Sequence, residues 1–132
     1  MLHLYRLRER ERFQQIRREG KTRDDRLVVL VCLQNELLYS RFGFSASRRV
    51  GKAVVRNRAR RLMRESARRQ ISQIHPGWDI VFIARSALAR ATFWQVDASC
   101  RKLLGQAGLL YDTPIPSLPA AALSPDTGES SC

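Results

Sequence analysis

Histidine, cysteine and acidic side chains are all in short supply in this chain, and their scarcity removes several kinds of chemistry. Three cysteines and two histidines are spread over 132 residues. Cys32, Cys100 and Cys132 contain no Cys-x-x-Cys pair and have no histidine at ligand spacing, which argues against a zinc site; an odd cysteine number so widely spaced argues against a disulfide framework. Cys32 lies in an apolar run and Cys100 on the apolar side of a helical pattern, so both read as small buried thiols rather than nucleophiles. Only 12 Asp and Glu are present. Those before residue 112 are Glu9, Glu11, Glu19, Asp24, Asp25, Glu36, Glu65, Asp79 and Asp97, and most read as surface charges or caps. They form no cluster of the kind with which a protein nuclease holds its metal ions. His3 and His75, the latter beside a helix-ending Pro-Gly, read as solvated.

Long hydrophobic runs are missing too. No segment approaches the roughly 20 apolar residues of a membrane span, and the start, Met1-Leu-His-Leu-Tyr-Arg-Leu-Arg8, lacks the apolar core of a signal peptide, so a cytoplasmic protein with no membrane partner is expected. Gly51-Lys52 is not a phosphate loop, because Ala46 and Ala53 stand where that loop needs a glycine and a hydroxyl residue. No helix-turn-helix or zinc finger is visible, so DNA is not an expected partner.

What abounds is arginine. The chain carries 24 Lys and Arg, a formal net charge of +12 and a pI near 11.1, with every basic residue at or before Lys102. Ten of them fall between Arg48 and Arg69 against one acid, Glu65. Such a field is stronger than solubility requires and points to a polyanion. With 44% hydrophobic residues there is material for a single core. Residues 1–111 therefore read as one RNA-binding domain. Residues 112–132, rich in Pro, Ala and Ser with three acids and no Lys or Arg, read as a disordered tail.

Periodicity supplies the elements. Residues Leu7 to Glu19 read as a short basic helix with Phe13 and Ile16 on one face and Gly20 as its C-terminal cap. The β-branched run Arg26 to Leu33 predicts a strand, and Leu37 to Arg48 a second, in which Phe42, Phe44 and Ala46 alternate with Gly43, Ser45 and Ser47. A helix after Gly51 packs Val55, Ala59, Leu62, Met63 and Ser66, until His75-Pro-Gly77 stops it. Trp78 to Ala84 predicts a third strand, and a final helix opens at Thr92 with Gln95 completing a capping box. The order αββαβα implies an α+β fold, a two-layer α/β sandwich with a mixed sheet.

On the second helix, Arg56, Arg60, Arg64 and Arg68 recur every four residues, with Asn57 and Arg61 between them. Exposed helix faces ordinarily mix signs to gain i,i+4 pairs. Here Arg56, Arg58, Arg60, Arg61 and Arg64 repel one another unless an anion screens them. Phe13 suits the core and also suits base stacking in a single-stranded RNA groove, since Arg12, Arg17 and Arg18 surround it.

The run Arg41-x-Gly-Phe-Ser-x-Ser-Arg-Arg-Val-Gly-x-Ala-Val-x-Arg-Asn-Arg-x-Arg-Arg-x-x-Arg-Glu65 resembles the signature of the bacterial ribonuclease P protein component. Phe13-x-x-Ile16-x-x-x-Gly20 upstream and Gly77-x-Asp79-Ile-Val-x-Ile-Ala-Arg85 downstream extend the likeness over about Leu7 to Leu110. The resemblance implies an auxiliary subunit of an endoribonuclease that removes the 5′ leader of precursor tRNA, in which the RNA subunit cleaves with magnesium and the protein alone cleaves nothing. It implies docking on the catalytic RNA through Arg56, Asn57, Arg58, Arg60, Arg61 and Arg64. It also implies a cleft for the 5′ leader at Phe13, Arg17, Val31, Ser47, Arg48, Lys52 and Arg85, and a left-handed crossover between parallel strands. Arg17 and Val31 replace aromatic residues common in the family, so phosphate attraction should carry more of leader binding here. A ribosomal or ribosome-assembly protein, a purely structural RNA binder, is the alternative that composition leaves open.

Overall fold

Two apolar runs at the centre of the chain's hydrophobic pattern lie side by side in the computed structural model, which describes residues 4–111. They are β3, Val28–Gln34, and β5, Trp78–Ala84, paired antiparallel along their whole length from Val28 opposite Ala84 to Gln34 opposite Trp78. Buried on both faces, they need the near-continuous apolar sequence they have. Further strands are β1, Tyr5–Arg6, β2, Lys21–Asp24, and β4, Arg41–Ser45. The five-stranded sheet has the order β1-β4-β5-β3-β2, with β1 and β5 parallel to β4 and the remaining pairs antiparallel. The expected mixed sheet and α+β class are therefore observed.

The sheet is wider than three strands. β1 and β2 are short edge strands whose Tyr-Arg and Lys-Thr-Arg-Asp sequences carry no apolar alternation, so only their pairing partners make them strands. β3 starts at Val28 rather than Arg26 because the Asp25 carboxylate accepts hydrogen bonds from the Leu27 and Val28 amides at 2.9 and 3.0 Å and fixes a turn there. β4 covers less than the expected Leu37 to Arg48, since Ser47 to Val50 turn back on themselves.

Three helices flank the sheet: α1, Arg10–Glu19, α2, Ala53–Gln70, and α3, Phe93–Gln106. α2 and α3 pack on one face, where Met63, Ala67, Val96, Leu103 and Leu104 meet Leu30, Phe42, Ile80 and Phe82 in the main core. α1 covers part of the other face, setting Ile16 and Phe13 against Val31 and Val81. Gly20 ends α1, but its extended backbone (φ −74°, ψ 164°) needs no glycine; what excludes a side chain is crowding, since a Cβ would sit 2.5 Å from the Ile16 carbonyl and 2.7 Å from that of Cys32. The Thr92 and Gln95 capping box forms as expected. Cys100 is a free buried thiol, pushed up to about 12 by burial. Cys32 is equally buried, on β3. The expected tail at 112–132 lies outside the described residues, and within these no helix is long and apolar enough to cross a membrane.

Candidate nucleic-acid interface

The position of α1 over the sheet is set by one carboxylate. Asp79, on β5, is fully buried. It accepts from Arg12 Nε of α1 at 2.7 Å, from Arg41 of β4 at 2.9 and 2.7 Å, and from Asn35 Nδ2 at 2.9 Å. Burial opposes its ionisation, but the hydrogen bonds from Arg41, Asn35 and Arg12 outweigh that and hold the carboxyl below the ordinary range. Asp79 is thus no surface charge or cap. Arg12, expected as a cation flanking Phe13, is committed to this cluster and also donates to the Gln34 carbonyl.

Clamped in this way, α1 leaves a groove along the β4 edge. Phe13 lies half-buried with its ring over Gly43, so close that a Cβ there would come within 2.6 Å of ring carbons. Glycine at 43 is what lets the Phe13 ring approach the strand this closely. Phe13, Gly43 and Phe44 line a groove of about 480 Å³ whose rim carries Arg6, Arg8, Arg60 and Arg64. Arg64 stacks its guanidinium over Phe44, 5.5 Å from the ring centroid. Phe13, expected in a leader cleft, and Arg60 and Arg64, expected on a separate docking helix, therefore share one surface. The sequence could not bring them together, because α1 and α2 meet only through the sheet edge.

The other expected cleft residues divide. Ser47 and Arg85 line a smaller hollow of about 240 Å³ with Arg49 and Ser86, at the end of the parallel strands β4 and β5. Arg48 and Lys52 are exposed beside it in the turn and at the start of α2, and Arg85 also pairs with Asp24 at 2.8 Å. Arg17 is exposed on α1. Val31 is 4% exposed beneath α1, so it supports Phe13 and Ile16 and offers little surface to a ligand.

Along α2, none of Arg56, Arg58, Arg60, Arg61 and Arg64 has a carboxylate partner among the described residues, whereas Arg68 pairs with Glu65 and Arg69 with Asp97. Arg60 donates to Asn57 Oδ1. Arg58 donates to the Ala91 carbonyl at 2.9 Å and so ties α2 to the segment before α3. The Arg56 Nε is buried without a hydrogen-bond partner among the described residues. Sequence reasoning misses Arg6 and Arg8 because they precede any periodic element. It misses Trp94 as well, although the inward period of α3 already places that residue outside.

Residues 1–108 match the family model for ribonuclease P. The chain belongs to the ribonuclease P protein family. It is 48% identical over 111 residues to the ribonuclease P protein component of Roseiflexus castenholzii, covering 83% of this chain and 91% of that one. To the component of Clostridioides difficile it is 44% identical over 93 residues, 70% of this chain and 82% of the relative. Its fold resembles the ribonuclease P protein of Staphylococcus aureus (TM-score 0.71, 32% identity, 77% of this chain and 94% of that chain) and that of Thermotoga maritima (TM-score 0.70, 39% identity, 75% and 94%). Family membership makes the chain the protein component of an endoribonuclease with an RNA partner, and decides against the ribosomal alternative.

Proposed function

We propose that α2 docks on phosphates of the catalytic RNA through Arg56, Arg60, Arg61 and Arg64, and that the groove beside Phe13 holds the single-stranded 5′ leader of precursor tRNA while the RNA subunit, in the cytoplasm, breaks the phosphodiester bond. The observation that carries this reading is the groove itself: an aromatic ring laid on a glycine, rimmed by four arginines of which none has an acidic partner among the described residues. A base can stack on Phe13 while its neighbouring phosphates meet Arg6 and Arg8, with Arg60 and Arg64 at the border between the groove and the docking face of α2, which binds single strands with little regard for sequence. Ser47, Arg48, Lys52 and Arg85 continue the phosphate track at the far end of β4 and β5. Arg58 and Asn57 act within the chain, the first by fixing α2 and the second by orienting Arg60.

The residues present do not fit a protein-held magnesium ion. Among the described residues no three of His, Cys, Asp and Glu converge, and the buried Asp79 already faces two guanidinium groups. In this reading magnesium is held by the RNA subunit, and the protein's part is to neutralise phosphate repulsion near it.

RNA-free protein incubated with precursor tRNA and magnesium should leave the substrate intact, and adding the RNA subunit should produce mature 5′ ends. Site-specific leader removal that survives nuclease treatment of the protein would overturn the assignment of chemistry to RNA.

A further inference from the structure

Trp94 is 64% exposed, an unusual position for the largest apolar side chain in a small domain. It is the second residue of α3, whose capping box fixes the helix start and whose inward residues Val96, Cys100, Leu103 and Leu104 are buried. Arg69, from the last turn of α2, lies with its guanidinium 4.9 Å from the Trp94 ring centroid and 5.9 Å from that of Phe93. Phe93 in turn meets Trp94 edge-on at 5.0 Å. Arg69 is held there from below by Asp97 at 3.6 Å, and Asp97 by the Ser66 hydroxyl at 2.8 Å. The ring and the cation are thus fixed before any ligand arrives, and the indole keeps a large open surface.

The surroundings indicate what that surface meets. Trp94, Ala98, Arg101 and Gly105 are exposed on one stripe of α3 and are all small, aromatic or basic. The one acid of α3, Asp97, is turned inward, so this stripe of α3 carries no exposed carboxylate. A protein partner would gain little from an aromatic ring set among basic side chains, whereas unpaired RNA bases stack on both aromatic rings and arginine planes.

We propose that Trp94, backed by Arg69, is a base-stacking platform for an unpaired nucleotide of the RNA on which α2 docks. It extends the docking surface from α2 onto α3, and it rests on the RNA-docking reading proposed for α2. The base lies on the open indole and an adjoining phosphate pairs with Arg69 or Arg101.

The test titrates full-length protein with the ribonuclease P RNA transcribed in vitro, following tryptophan fluorescence and affinity for wild type, Trp94→Phe, Trp94→Ala and the double variant Arg60→Ala/Arg64→Ala. Wild type should show quenching that Trp94→Phe lacks, since Trp78 is the only other tryptophan and sits half-buried at the start of β5. Trp94→Ala should bind roughly 5- to 150-fold more weakly with an unchanged melting temperature. Wild-type affinity in Trp94→Ala together with weakened binding by the Arg60/Arg64 variant overturns the platform and leaves the docking reading standing. Wild-type affinity in both variants overturns the two together. A wild-type dimer that Trp94→Ala converts to monomer, with RNA affinity unchanged, assigns the ring to self-association and also overturns the proposal.

Discussion

Asp79 decides more than any other single residue, because two arginines from different elements converge on it inside the fold. Removing its carboxylate leaves both guanidinium groups without their counter-ion, so Asp79→Ala should cost about 3–5 kcal/mol of unfolding free energy, measured by urea titration. Its folded pKa lies below the ordinary 3.8, so its ionised form stabilises the fold above that value, and the contribution is lost as pH falls through the lower folded value. Wild-type stability should therefore drop on acidification below about pH 4, and Asp79→Asn should flatten that part of the curve. An unchanged acid limb would mean that other carboxylates dominate it. Gly43 provides a second residue-level test. Gly43→Ala must displace the Phe13 ring, at about 1–3 kcal/mol, and should weaken precursor tRNA binding along with it. In a Phe13→Ala background the same change should cost far less, and a double-mutant cycle that shows simple additivity would contradict the seating of the ring on the glycine.

At the scale of elements, α2 is the proposed binding surface because Arg56, Arg60, Arg61 and Arg64 have no acid to neutralise them among the described residues. Arg60→Ala/Arg64→Ala should weaken binding to the RNA subunit and make log affinity fall less steeply with log salt, by roughly one unit of slope for each phosphate the variant no longer neutralises. A slope equal to wild type would place these side chains in solvent in the complex. The strongly periodic elements are legible in the sequence. Trp78–Ala84 is predicted to its ends, and the capping box of α3 is where Thr92 and Gln95 imply. β1 and β2 are not, because a strand of two or four polar residues exists only through its partner's hydrogen bonds. The arginine helix can be read as a docking surface from its unmixed charge. Arg58 cannot be separated from its neighbours, since its carbonyl partner lies 33 residues away.

Across the whole molecule, the domain combines abundant positive charge with a sheet that supports two helices on one face and one on the other, and this suits the RNA-binding role proposed for it. By itself the sequence determined the partner class, the α+β composition, the three main strands and the arginine-rich face of α2. These depend on composition, period and local spacing, which a linear string carries. Tertiary structure alone decided that Phe13 shares a groove with Arg60 and Arg64, that Val31 is buried, that Asp79 clamps α1 and that Arg69 lies over Trp94. Each of these joins side chains from separate elements. Which groups meet is set by how the helices seat on the sheet, and the many weak contacts responsible for that leave no local pattern in the chain.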